Sequence, residues 1–263
     1  MKKVILLASF FILFRAQAFA EMNCFFATEN NKIISQSDQK NNACKARKSP
    51  CSTFKIAISL MGFDDGFLID ETHPELPFKE GYADYIEFWK VPHNPQKWLK
   101  NSCVWYSQII TQKLGEKKFS NYVKKFDYGN GDLSGDLGKN NGLTESWLGS
   151  SLQISPQEQV EFLQKFLDGK FALSLRAQQM TKNILFVEDL PNGWKLYGKT
   201  GSCDSSDNGA QNGWFVGWIQ KEERKIIFAN YLEDKNNLDY SGGKQAKQMA
   251  REKLIELTKK QKN

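Results

Sequence analysis

A serine and a lysine three residues apart, Ser52 and Lys55, form the pair in this sequence best suited to covalent chemistry. They lie in Ser49-Pro50-Cys51-Ser52-Thr53-Phe54-Lys55-Ile56-Ala57-Ile58-Ser59-Leu60-Met61-Gly62. Proline near the start, glycine at the end and apolar residues between predict a short buried helix. A spacing of three sets both side chains on one face at its first turn. The helix N-terminus adds free N–H groups and positive potential there. A serine hydroxyl needs a base before it attacks, and a lysine kept neutral by burial can be one. The same spacing recurs at Ser37–Lys40 and Ser241–Lys244 among turn residues, so spacing alone is weak. What sets Ser52–Lys55 apart is its surroundings, where a charged lysine is costly unless it has a task or a partner.

Three other segments carry polar groups in informative places. In Ser102-Cys103-Val104-Trp105-Tyr106-Ser107-Gln108, Ser102 shares a helical stripe with Leu99 and Tyr106 and is expected to face inward. A serine bonded back to its own helix accounts for that position equally well. Tyr128-Gly129-Asn130-Gly131-Asp132 reads by itself only as a turn. Lys199-Thr200-Gly201-Ser202 closes a strand, where glycine admits a substrate backbone and lysine and threonine offer donors to an anion. His73 and His93 are the only histidines, so neither a multi-histidine zinc site nor a Ser-His-Asp triad is expected, and no metal site is assigned.

The elements that must position these groups are strands at the two ends of the chain and helices between. Strands are expected at Asn23 to Thr28, Lys32 to Ser35, Trp194 to Lys199, Gly213 to Gln220 and Lys225 to Tyr231, with a turn at Ser205 to Gly209. Ser155-Pro156-Gln157-Glu158 is a capping box that opens a helix, and a last helix is expected from Gly243 to Lys259. The layout is α+β: one mainly antiparallel sheet covered by helices, with an inserted helical lobe and the site between the lobes. At 263 residues, 40% hydrophobic and 25% charged, the composition is that of a globular chain. Residues 1–20 have the pattern of a secretory signal peptide: Lys2 and Lys3, an apolar run from Val4 to Phe14, and Ala18-Phe19-Ala20 as cleavage site. Residues 21–263 are then one exported, periplasmic catalytic domain of two lobes, with no stable membrane anchor. Losing Lys2, Lys3 and Arg15 lowers the net charge from +6 to +3, too weak a charge to argue for nucleic acid, and no nucleic-acid partner is expected. Five cysteines remain, an odd number. Cys44 and Cys51, seven apart, are the best local disulfide candidates, while Cys51 and Cys103 read equally well as small buried apolar residues.

Taken together, Ser-Thr-Phe-Lys at 52, Ser-Cys-Val at 102, Tyr-Gly-Asn at 128 and Lys-Thr-Gly at 199 resemble the class D (oxacillinase-type) serine β-lactamases. These belong to the penicillin-recognising superfamily of serine acyl-transfer enzymes. The likeness spans nearly the whole mature chain and includes Trp105-Tyr106-Ser107-Gln108, Asn141 to Leu148 and Asn212 to Trp218. The resemblance implies that Ser52 attacks a β-lactam carbonyl to form an acyl-enzyme. Lys55 would bear a carbamate made from carbon dioxide or bicarbonate and serve as base for both half-reactions; no other cofactor is implied. The N–H groups of Ser52 and Ser202 would form the oxyanion hole. Ser102 would relay a proton to the leaving nitrogen, Val104 would keep the carbamate pocket apolar and Trp147 would donate its indole N–H to the carbamate. Lys199, Thr200 and Gly201 would bind the substrate, a small-molecule β-lactam, with Lys199 and Thr200 on its carboxylate. Gly243-Lys244-Gln245-Ala246 stands where many relatives carry an arginine, so Lys244 would stand in for it, without the bidentate fork. Alternatives are a slow-releasing penicillin-binding transpeptidase or carboxypeptidase, and a non-enzymatic β-lactam sensor. Monomer and dimer are both compatible with the sequence.

Overall fold

A computed structural model describes residues 22–37, 42–204, 211–234 and 242–260. The leader 1–20, the turn 205–209, Lys40 and Ser241 lie outside the described residues. The strands are β1 (Met22–Glu29), β2 (Lys32–Gln36), β3 (Phe186–Leu190), β4 (Trp194–Asp204), β5 (Gln211–Lys221) and β6 (Arg224–Asp234). They form one antiparallel sheet in the order β2-β1-β6-β5-β4-β3. The central strands are buried on both faces, and their side chains sort by the two-residue period. Cys24 and Phe26 of β1, Trp214 and Val216 of β5, and Ala229 and Tyr231 of β6 enter one core. Phe25, Phe215, Phe228 and Leu232 enter the other. Helix α7 (Gly242–Lys260) covers this second face with Ala246, Ala250 and Leu254, spaced by one helical turn.

The helical lobe leaves the sheet after β2 and returns at β3. It contains α1 (Lys55–Asp64), α2 (Pro95–Asn101), α3 (Val104–Phe126), α4 (Gly142–Glu145), α5 (Pro156–Leu167) and α6 (Leu175–Ile184). The capping box before α5 forms as expected: Glu158 N–H donates to Ser155 Oγ, and Ser155 N–H to the Glu158 carboxylate. Strand β3 was not expected, because its sequence Phe-Val-Glu-Asp-Leu carries two adjacent acidic residues and sits on a sheet edge, where no alternation is required.

Two expectations need correction. The helix placed over Ser49 to Gly62 is a 3-10 turn, Cys51–Phe54, that runs into α1, and α1 passes through Gly62 to Asp64. Gly62 marks a close approach, since a Cβ there would lie 2.8 Å from Leu68 Cγ. The cysteines do not pair locally. Cys44 joins Cys24 on β1, Cys51 joins Cys203 on β4, and Cys103 is a buried free thiol whose pKa burial pushes up to about 12. Seven residues of separation gave Cys44 and Cys51 a short loop, but the sheet offers each a different partner at Cα distances of 5.2 and 5.8 Å.

Candidate active site

The turn bearing Ser52 is held from several sides. Ser49 Oγ donates to Trp147 O and accepts from Gly149 N–H, both at 2.9 Å, while Ser49 O accepts from Trp214 Nε1–H of β5 at 2.9 Å. Thr53 Oγ1 donates to Pro50 O at 2.6 Å and accepts from Gln159 Nε2–H at 2.9 Å. Phe54 is wholly buried against the rings of Tyr128, Trp147 and Phe119, with centroids 4.9, 5.6 and 6.0 Å away. Within this frame Ser52 lines an open cleft of about 830 Å³. Lys55, the first residue of α1, has no solvent exposure, and its Nζ donates to Ser52 Oγ at 3.1 Å. Burial lowers the Lys55 pKa to about 7, against a small opposing effect of Cys103. At neutral pH a large fraction of Lys55 is therefore the free amine, able to accept a proton from the hydroxyl it touches.

Ser102 is in the cleft but not on a helical stripe. It closes α2 in the left-handed region at φ +55°, and its N–H and that of Cys103 bond to Leu99 O and Trp98 O. Helical periodicity does not apply at that joint, which turns Ser102 toward β4. There Lys199 Nζ donates to Ser102 Oγ and, at 3.0 Å, to Thr200 O. Lys199 is 5% exposed, and its pKa is lowered well below the usual lysine value, first by burial and then by the charge of Lys55. A charge on Lys55 thus disfavours the charged form of Lys199.

Strand β4 presents a free edge to this cleft. Strand β3 pairs with it only over Trp194 to Tyr197. The Gly198 N–H crosses that edge to Leu185 O, and the two-residue period sends the N–H groups of Thr200 and Ser202 the same way. Gly201 lets the edge meet the nucleophile turn: a Cβ there would lie 3.0 Å from both Pro50 O and Thr53 Cγ2. Ser202 Oγ accepts from Gly243 N–H at 2.9 Å, and Val104 and Thr200 also line the cleft. Trp147 is fully buried, yet its Nε1–H has no acceptor among the described residues. An unsatisfied buried N–H costs about 1–3 kcal/mol, so this donor fits an acceptor other than the described residues.

A family model described as penicillin binding protein transpeptidase domain matches residues 23–254. The β-lactamase OXA-9 of Klebsiella pneumoniae is 41% identical over 222 residues, covering 81% of this chain and 80% of that protein. The β-lactamase OXA-1 of Escherichia coli is 43% identical over 213 residues, covering 80% and 75%. The solved structure of the class D β-lactamase OXA-427 superposes with a TM-score of 0.85 at 41% identity, covering 91% of this chain and 99% of that one. The chain belongs to the class D β-lactamases.

In this class D β-lactamase the residues expected from the sequence gather around one cleft, with Lys55, Trp147 and Lys199 beneath its surface. Lys244 lines the mouth from the first turn of α7, exposed to solvent. Tyr128-Gly129-Asn130 has a bracing part. Tyr128 packs on Phe54, and Asn130 Oδ1 accepts from Gln153 and Asp132 N–H groups. The sequence reading missed Gln159, which is wholly buried and holds Thr53. Its signal was present as a lone amide among Val160, Phe162 and Leu163 on the apolar face of α5.

Proposed function

We propose that Ser52 opens the β-lactam ring of penicillin-type substrates and that water then clears the resulting acyl-enzyme, with the base for both steps carried by Lys55. The observation that carries this reading is a fully buried lysine of pKa about 7 bonded to a hydroxyl in an open cleft. In the first half-reaction Ser52 Oγ loses its proton toward Lys55 and bonds to the carbonyl carbon. The oxyanion forms between the N–H groups of Ser52 and Ser202, where each donor is worth roughly 3–4 kcal/mol in comparable enzymes. Ser102, tethered by Lys199, hands a proton to the ring nitrogen as the C–N bond breaks. Thr200 and Lys199 hold the substrate carboxylate, with Lys244 at the rim.

Carbon dioxide bound to the neutral Lys55 amine would supply a carboxylate-like base on a long stem. The orphan N–H of Trp147 and the apolar wall of Val104 fit such a group, and replacing the Lys55 ammonium by a negative charge would remove the repulsion that disfavours the charged form of Lys199. The leader pattern in residues 1–20 supports an enzyme that acts after export to the periplasm.

Mixing enzyme with a large excess of chromogenic β-lactam tests the reading. Complete turnover is expected. A burst equal to the enzyme concentration, with no further hydrolysis, would replace this reading with a slow-releasing transpeptidase or a sensor. Trp147→Phe is expected to slow deacylation by about five- to a hundredfold, the rate equivalent of one buried hydrogen bond. Acylation should change less and Tm little, since phenylalanine keeps the packing on Phe54 and removes a donor that no described residue satisfies. Single-turnover kinetics and a thermal melt check this, and an unchanged deacylation rate rules the indole out of the reaction.

A further inference from the structure

Cys51 and Cys203 flank the two residues whose N–H groups the proposed reaction uses. Cys51 directly precedes Ser52, and Cys203 directly follows Ser202. The disulfide between them, spanning 152 residues of sequence, therefore joins the nucleophile turn to the free edge of β4 one residue from each donor. Cys51 itself sits at φ +50°, in the left-handed region that a side chain disfavours and that the surroundings must hold in place. The non-covalent anchors of this segment fall on either side of that residue. Ser49 is held by Trp147, Gly149 and Trp214, Lys48 pairs with Glu233 at 3.0 Å, and Thr53 is held by Gln159. Where the turn meets β4 the contact runs through Gly201, which has no side chain to interlock.

We propose that the Cys51–Cys203 disulfide is a positioning element for acylation. It fixes the separation and direction of the Ser52 and Ser202 N–H groups, and so sets how strongly they polarise the carbonyl under attack. This rests on the reading of Ser52 as nucleophile and of the two N–H groups as oxyanion donors. A misplacement of a fraction of an ångström matters because such donors act only when aimed at the developing oxyanion. The second disulfide, Cys24–Cys44, supplies an internal control, because neither of its residues lines the cleft.

The test begins with peptide mapping of the unreduced protein, which should return Cys24–Cys44 and Cys51–Cys203 with Cys103 free. Any other partner for Cys51 overturns the proposal. Cys51→Ala/Cys203→Ala and Cys24→Ala/Cys44→Ala are then compared well below both melting temperatures, using a penicillin carrying a carbon-13 β-lactam carbonyl. Loss of the first bridge should slow single-turnover acylation by about 10- to 100-fold, short of the loss of a whole donor. Pre-covalent affinity should stay within about twofold, and the infrared band of the ester carbonyl should move to higher wavenumber as the hole loosens. The control variant should keep the wild-type rate and band even where its Tm falls as far. A staple that only stabilises the fold would leave rate and band unmoved in both variants, and that result overturns the positioning role. If the Cys51→Ala/Cys203→Ala protein does not fold, reduction of the folded wild type replaces it. Cys203 lines the cleft and is open to a water-soluble phosphine, whereas Cys24 and Cys44 are buried. The two sulfurs take up two electrons and two protons as thiols, and phosphorus leaves as the phosphine oxide with oxygen from water. Acylation at the wild-type rate after that bond is cut again overturns the proposal. A wild type that forms no adduct on Ser52 removes the nucleophile assignment itself; a normal adduct indifferent to the bridge removes only the positioning role.

Discussion

Ser52→Ala is expected to abolish covalent labelling by penicillin and to lower hydrolysis by at least about 10⁴-fold, on the scale of nucleophile deletions in other serine enzymes. The fold should survive the change. The turn is held through Ser49, Thr53 and Phe54, and among the described residues the hydrogen bond to Ser52 Oγ comes from Lys55 Nζ. Removing that oxygen leaves a buried amine short of a partner, but one that burial already keeps largely neutral near pH 7, so the penalty stays small. Intact-protein mass spectrometry with and without penicillin, beside a thermal melt, checks both halves. Undiminished labelling, mapped to Ser102 or Ser202, which also line the cleft, would move the nucleophile there.

Much of this site was legible because its chemistry is written in short contiguous segments. Ser52 and Lys55 are one helical turn apart, and Lys199 to Ser202 are consecutive on one strand, so local geometry already brings each set together. The central strands were legible for a related reason: both of their faces are buried, which leaves continuous apolar runs such as Trp214 to Ile219. What escaped depends on contacts between segments far apart. Ser102 looked like a point on a helical stripe because periodicity carries no sign of a non-glycine residue at φ +55° that splits α2 from α3. Gly129 looked like an ordinary turn residue. A Cβ there would lie 2.0 Å from Gln153 O, so the turn is pressed against backbone 24 positions later. The disulfide partners were hidden in the same way, since Cys203 meets Cys51 only once β4 has docked on the nucleophile turn.

Lys55→Ala is expected to convert the enzyme into one that acylates slowly and then stalls. Deacylation should lose about 10²–10⁴-fold, the usual contribution of a positioned general base, and a long-lived penicilloyl adduct should accumulate on Ser52. Deacylation suffers more than acylation because, among the described residues, Lys55 is the base bonded to Ser52, while the other buried amine, Lys199, is engaged with Ser102. Glu145 lines the cleft, but its carboxylate accepts from Gln108 Nε2–H at 2.8 Å. The pH dependence of the wild type follows from the same residue. Burial lowers the Lys55 pKa to about 7, so the neutral amine predominates above that value and shrinks about tenfold for each unit below it. Activity should therefore fall as the pH drops through about 7, whether the amine works directly or after adding carbon dioxide, since only its neutral form can do either. Degassing separates the two cases. If carbon dioxide adds to Lys55, activity should fall in carbon-dioxide-free buffer near pH 7 and return with bicarbonate. Labelled bicarbonate should then give a carbamate carbon-13 resonance in the wild type that is absent from Lys55→Ala. Full activity without carbon dioxide, and no such resonance, would make Lys55 a free-amine base and leave the orphan N–H of Trp147 to a water molecule.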